Sequence, residues 1–517
     1  MCSSDLTPCF VMPTQVKRIA FTSAAPMKIR RKLLLLPALI AAFSMLTGRV
    51  TAQTFTVLHT FTLASGPNGA NDDGANPSAG LIQSGNTLYG TATYGGSSGW
   101  GTVFALDLDG TGFTNLYNFT GDSDGANPSA SLILSNNVLY GTASSGGSSD
   151  AGTVFALNAN GVGFANLHSF TAPANDSFGF YTNTDGAHPL AGLLLSGGIL
   201  YGSANNGGTS GHGTVFAVNT DGLGFATLHS FSSGSGGAYS SAGLILLGNT
   251  LYGTDYGNLG NGTVFAINTD GTVFTNYYAF TSAHLNGSGI LTNSDGANPH
   301  AELILSGDTL YGTAERGGSS GNGAVFAINP DGTGFTTLHS FAPGGYNSLG
   351  LYTNTDGANP SARLILSGDN VYGTANAGGS SGHGTVFVLK TNGAGFTNLY
   401  SFTATPRYPE TQTNSDGANP SAGLVLSGYA LYGTTASGGN SGNGTVFSLS
   451  FAPRLTIFPS KTNIILTWPT NFAGFDYSRF ILQSAPAVTG TFTNIPGATS
   501  PYTNPIARAQ KFYRLRQ

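Results

Sequence analysis

A Tyr-Gly preceded by Leu or Val returns seven times, at Tyr89, Tyr140, Tyr201, Tyr252, Tyr311, Tyr372 and Tyr432, with 51 to 61 residues between successive copies. A period of this length marks a unit that buries its apolar face only against its neighbours. The sixth copy reads Asp356-Gly-Ala-Asn-Pro, Leu364-Ile-Leu-Ser-Gly, Val371-Tyr-Gly-Thr-Ala, a Gly-Gly-Ser-Ser-Gly loop, Gly384-Thr-Val-Phe-Val-Leu, then Phe396-Thr-Asn-Leu-Tyr-Ser-Phe. Four short runs rich in Val, Ile, Leu, Phe, Tyr and Thr are thus separated by Gly, Asn, Asp and Ser, which is strand composition with turn punctuation. No stretch after residue 52 sustains a 3.6-residue period, so helices are scarce. Four strands per repeat predict one blade of a β-propeller. A flat β-solenoid is the alternative, but its coils are shorter.

The phase of the repeats favours closure. Gly-Thr-Val-Phe-type segments begin at Gly101, Gly152, Gly213, Gly262, Gly323, Gly384 and Gly444. Phe-Thr-x-Leu-His-type segments begin at Phe55, Phe113, Phe164, Phe225, Phe274, Phe335 and Phe396. The chain therefore opens on a lone fourth strand, Phe55 to Phe61, and its last repeat ends without one. The expected fold is an all-β, seven-bladed β-propeller over 53–451, its first strand completing the last blade beside Gly444 to Leu449. Such a clasp hides two sheet edges that would otherwise invite aggregation.

Composition narrows the function. Only 8% of residues are charged and the net charge is -5, so no basic surface exists for nucleic acid. Gly is abundant, at 77 residues, but 40% of the chain is hydrophobic, which speaks for turn-dense β structure over disorder. Both cysteines, Cys2 and Cys9, lie near the N-terminus, leaving no disulfide framework. Residues 27–52 follow the plan of a secretory signal peptide: the basic Lys28, Arg30, Arg31 and Lys32, an apolar run from Leu33 to Leu46, and Val50-Thr51-Ala52 before Gln53. The run is too short for a confident membrane span and holds Pro37. Residues 1–26 fit no plan and read as a non-native extension ahead of Met27. The chain is expected to be secreted or displayed at the cell surface.

Candidate sites follow from the loops. With Leu-Ile-Leu innermost, the Ser-Gly-Asn and Asn-Thr-Asp-Gly turns share one end of the blades, where positive φ is their ordinary requirement. The Gly-rich loops and the connections between blades share the other. The large length variation lies in those connections, as insertions at 172–183, 282–293, 342–354 and 404–414 that carry Phe178, Phe180, Tyr181, Tyr346, Tyr352 and Tyr408. Variable loops on a rigid scaffold are where binding usually resides. The expected ligand-binding residues are Asp124, Asn127, Asp185, His188, Asp295, Asn298, Asp356, Asn359, Asp416, Asn419, Tyr181 and Tyr352. Oxygen ligands at alternate positions, as in Asp122-Ser-Asp124, resemble part of a calcium loop, but the terminal Glu is absent. The plainer expectation is a turn in which Asp accepts backbone N–H groups, and no cofactor. The fourth repeat lacks the motif and has Gly237-Ala-Tyr-Ser instead.

Catalytic patterns are not expected. His59, His168, His229 and His339 share one strand position with Tyr117, Tyr278 and Tyr400, which marks packing. His212 and His383 fall in the Gly-rich loops and read as exposed. Those loops lead into a strand, not a helix, and lack the Lys of a phosphate-binding loop. No Gly-x-Ser-x-Gly elbow has credible partners. Acidic residues recur with the repeat, whereas a catalytic carboxylate pair should be unique. After Pro453 the repeat stops, and 454–517 read as a small β-sandwich-like domain with Trp468 and Tyr513 in its core.

Leu-Tyr-Gly-Thr followed by Gly-Gly-x-x-Gly-x-Gly-Thr-Val-Phe resembles the GloVer tandem repeat of bacterial choice-of-anchor surface proteins, over about residues 55–450. The resemblance implies an exported, propeller-like protein whose C-terminal module engages export or anchoring machinery. It implies no enzymatic activity. Ala324 in the fifth Gly-Thr-Val-Phe and the missing fourth motif depart from it. Three functions remain open: a monomeric binding or adhesion scaffold for extracellular glycan or a surface protein, a secreted hydrolase or lyase acting on polysaccharide, and a purely structural surface protein.

Overall fold

The computed structural model describes residues 53–175, 181–232, 237–257, 261–348, 350–405, 413–506 and 510–517. The expected extension at 1–26, the leader at 27–52, Phe178, Phe180 and Tyr408 lie outside them. The described chain is all-β apart from a single turn of 3-10 helix at Pro67–Gly69. It contains seven four-stranded antiparallel sheets. The first pairs Ile82–Ser84, Thr87–Ala92, Thr102–Asp107 and Thr114–Asn118 in that order, and the next five repeat it. The seventh takes Val425–Ser427, Ala430–Thr435 and Thr445–Ser450 from the last repeat and Thr54–Thr60 from the start of the chain. Phe55 pairs with Leu449 and Val57 with Phe447, as the phase offset predicts.

The recurrent Tyr-Gly has a steric cause. A β-carbon on Gly90 would lie 2.6 Å from the Phe104 ring and 2.8 Å from Leu81 Cδ2. Gly433 meets Phe447 and Leu424 in the same way. The second strand must lose a side chain here so that the Phe of the third can cross it and fill the core. A bulge between the third and fourth strands, as at Val103 and Phe104, then shifts the register by one residue.

Neighbouring sheets are joined by contacts that recur seven times. The His or Tyr of each fourth strand stacks on a Phe of the next sheet, with ring centroids 3.7–4.2 Å apart. Thr or Ser of each second strand donates to an Ala carbonyl of the next sheet at 3.0–3.3 Å. A backbone N–H after each Gly-Ala bonds a carbonyl of the preceding sheet's Gly-rich loop at 2.7–2.9 Å. In each set the seventh member joins sheet seven to sheet one: His59 on Phe113, Thr434 to Ala79, Asn76 to Asn443.

Residues 454–517 form two three-stranded sheets and a short hairpin. Trp468, Leu466 and Leu482 make a small core there. Phe475 and Tyr477 instead join the core of sheets six and seven. Tyr372 donates to the Ala473 carbonyl at 2.6 Å, and Tyr477 donates to that of Phe451.

The fourth connection is built differently. Asp255 stands on the second strand where sheets one and two carry Ala92 and Ala143. It is fully buried, accepts from Thr263 and from the Ala238 N–H at 3.2 Å, and burial pushes its carboxyl up to about 6. A carboxyl raised above its unfolded value of 3.8 favours folding when protonated, so its ionisation erodes stability as pH rises from about 4 to about 6. Asp255→Asn should therefore gain on the wild type across that window, by on the order of 3 kcal/mol at neutral pH. Denaturant titrations at pH 4 and pH 7 measure this; an equal difference at both would refute it.

Candidate functional site

The Asp of the recurrent motif faces inward. Asp185 accepts from His168 Nε2 at 3.1 Å, from the Thr171 N–H at 3.0 Å and from the Thr171 hydroxyl. Asp124, Asp295 and Asp416 hold Tyr117, Tyr278 and Tyr400 by their hydroxyls at 2.7–2.9 Å, together with a Thr. Asp356 holds His339 at 2.9 Å. All five are buried. Burial alone would raise the carboxyls of Asp73 and Asp185, but the bonds from His and Thr prevail and hold both below the ordinary range. These carboxylates clip the end of one sheet to the connection leading into the next. Their oxygens are engaged within the chain.

The Asn of the motif is a hinge. Asn127, Asn298, Asn359 and Asn419 have φ of 57–58°, a region Asn tolerates well, and His188 adopts 54°. Their amides reach back to carbonyls of the preceding sheet, as from Asn127 to Thr93 at 3.1 Å. The local turn is made two residues ahead of the Asp: Asn183 Oδ1 accepts from the Gly186 and Gly208 N–H groups. Among the described residues no group of three or more His, Cys, Asp or Glu could hold a metal ion.

His212 and His383 are buried, not exposed. His383 Nε2 lies 3.1 Å from the Thr405 hydroxyl, and His212 meets the Tyr239 ring edge-on at 5.5 Å. At these two positions the following connection covers the Gly-rich loop.

Three of the insertions form two-residue-paired hairpins, Ala174–Asn175 with Tyr181–Thr182, His284–Leu285 with Leu291–Thr292, and Gly345–Tyr346 with Tyr352–Thr353. Tyr181 and Tyr346 are well exposed, at 62% and 78%. Tyr352 is partly covered; its hydroxyl accepts from the Asn322 amide and the Gly344 N–H, both at 2.8 Å. Tyr94 and Trp100 of a Gly-rich loop are exposed at the same end of the sheets.

A cavity of about 680 Å³ is lined by the segments that lead into the first strands of all seven sheets. Each segment reads x-Ala-x-Leu. The first variable position is Ser in five repeats, Leu190 in the third and His300 in the fifth. The second is Gly80, Ser131, Gly192, Gly243 and Gly423, but Glu302 and Arg363 in the fifth and sixth. His300, Glu302 and Arg363 are the only titratable side chains in the lining. Arg363 Nε pairs with Glu302 Oε1 at 3.3 Å. Burial holds the Glu302 carboxyl above its ordinary range, against the weaker opposing pull of Arg363. His300 bonds Ser241 through Nδ1 at 2.9 Å and Glu315 through Nε2 at 3.0 Å. Sequence reading by repeat motif missed this cluster. Setting the seven Pro-x-Ala-x-Leu-type frames side by side exposes it as the one place where the variable positions of the lining become titratable.

The model of the Gloeobacter/Verrucomicrobia repeat matches residues 43–179, 176–348 and 290–460. No curated protein matches the chain. Among solved structures, the chain is similar to a crystal structure of a nidogen/laminin complex at 12% identity and a TM-score of 0.35, covering 59% of this chain and 90% of that one. It is similar to an oligogalacturonate lyase in complex with manganese at 11% identity and 0.44, covering 77% and 97%. The oligogalacturonate lyase of Vibrio parahaemolyticus matches at 9% identity and 0.44, with the same coverage.

Proposed function

The chain belongs to the Gloeobacter/Verrucomicrobia repeat family, and from that premise we propose a closed seven-bladed β-propeller, exported and monomeric, that serves as a non-enzymatic binding scaffold for extracellular glycan. What supports closure is that each of the three recurrent contacts between neighbouring sheets has a seventh member joining the last repeat to the first. The basic, apolar and small-residue plan of 27–52 supports export. Residues 454–517 then serve as the module that engages export or anchoring machinery.

The observation that carries the binding reading is the set of exposed aromatic side chains, Tyr94, Trp100, Tyr181 and Tyr346, at the end of the sheets where the insertion hairpins lie. Aromatic faces bind the C–H faces of sugars without needing charge, and this chain has little charge to offer. Tyr346→Ala should weaken glycan binding about tenfold, the effect of a modest aromatic anchor, and leave stability within about 0.5 kcal/mol, as for other exposed positions. A glycan array followed by calorimetry on the best hit measures both. Equal affinity for Tyr181→Ala, Tyr346→Ala and wild type would count against this face.

One observation favours a second reading, a secreted enzyme acting on polysaccharide. The lining of the cavity carries titratable side chains in one place, where His300, Glu302 and Arg363 stand in the adjoining fifth and sixth repeats. A catalytic cluster on a symmetric scaffold should be unique in this way.

A further inference from the structure

We propose that Ser241 is an activated nucleophile, driven by His300 and Glu315, that removes acyl groups from O-acyl esters small enough to enter the cavity. This rests on the second reading above and narrows it to one reaction.

Five repeats place Ser at this position, and only Ser241 faces an imidazole. Ser78 bonds Thr93 instead, at 2.9 Å. The imidazole is itself oriented: the Glu315 carboxylate lies 3.0 Å from Nε2. The hydrogen bond from His300 holds the Glu315 carboxyl below its ordinary range, so it is ionised at neutral pH and must accept. Nε2 therefore carries the proton and Nδ1 is left as the acceptor for the Ser241 hydroxyl 2.9 Å away. Nucleophile, base and orienting carboxylate are thus in hydrogen-bond sequence, the arrangement that activates a hydroxyl. Ser241 and His300 both line the cavity, so the hydroxyl is reachable. Arg363 lines it too, paired with Glu302 at 3.3 Å.

The step balances without any further cofactor. Ser241 Oγ bonds the ester carbonyl carbon while its proton passes to His300 Nδ1. The bond from that carbon to the alkoxy oxygen breaks, and the alcohol departs with the proton. Water, deprotonated by the same imidazole, then cleaves the acyl-serine and releases the carboxylic acid. An alkoxide leaves more readily than an amide nitrogen, so this relay suits an ester better than an amide.

Fluorophosphonate labelling of the folded full chain, with the adduct located by peptide mass spectrometry, tests this. The adduct is expected on Ser241. Ser78, Ser129, Ser361 and Ser421 occupy the same position without an imidazole partner and should stay free. His300→Ala and Glu315→Gln should each slow labelling at least tenfold with melting temperature little changed, and added imidazole should restore the His300→Ala rate. An adduct spread over the five serines, or none on Ser241, overturns the proposal. Glycan binding at the aromatic face is measured on the same samples, so failure of the relay leaves that reading standing, and failure of that binding leaves the relay standing.

Discussion

Asp185→Ala should destabilise the protein by about 3 kcal/mol, because it strands a buried N–H, a hydroxyl and an imidazole at once. The carboxylate accepts from His168, the Thr171 N–H and the Thr171 hydroxyl, and water does not reach it to take over. Asp185→Asn keeps the shape and one acceptor and should lose roughly half as much, on the usual scale of a hydrogen bond to a charged group. The pH dependence follows in sign. A carboxyl held below its unfolded value stabilises above that value, and the contribution fades as pH falls through the folded one. The gap between wild type and Asp185→Asn should therefore be full at pH 6 and shrink below about pH 4. Denaturant titration at several pH values reads both. If Asp185 instead served calcium, the ion would raise the melting temperature of the wild type and not of the variant; a calcium-dependent shift of that kind would contradict the clip.

A chain beginning at Leu63, without Thr54–Thr60 and Phe61, should fail to stay monomeric. Phe61 is fully buried, and Phe55 stacks on Tyr400 at 4.1 Å and on Phe447 at 5.3 Å. Removing Phe55, Val57, Leu58 and Phe61 forfeits about 2 kcal/mol each, some 8 kcal/mol in all, which rivals the whole stability of an ordinary domain. It also uncovers Thr445–Ser450 as an unpaired apolar edge. Light scattering should show aggregation, and a synthetic peptide of residues 53–62 should suppress it. Full solubility and an unchanged melting curve for the shortened chain would sink this prediction.

Much of this architecture is legible in the chain because each element is written seven times. Turn residues and β-branched runs delimit the strands, and the unpaired Phe55 strand points to its partner, Thr445–Ser450. The clip is half legible: the turn residues around Asp185 announce a carboxylate that accepts backbone N–H groups, but its partners, His168 and Thr171, sit at the end of the preceding strand. Reading His168 and Tyr117 as packing residues was sound, since each stacks on a Phe, yet each also bonds an Asp. The cavity cluster was hidden for the opposite reason. His300, Glu302 and Arg363 are single departures within frames read for what they share. Asp255 escaped notice likewise, because its burial comes from a connection that lost its own motif. The docking of Phe475 and Tyr477 onto Tyr429 and Phe451 carries no periodic signal at all.

The closed seven-bladed arrangement is tested most directly by a disulfide across the clasp. Thr56 and Ser448 are register partners on the first and last strands of the repeat region. Thr56→Cys with Ser448→Cys, in a chain starting at Gln53 and so free of Cys2 and Cys9, should oxidise to a monomer that runs faster on a non-reducing gel. That bond should also raise the melting temperature. Disulfide-linked dimers, or two thiols that stay free under oxidising conditions, would contradict closure within one chain.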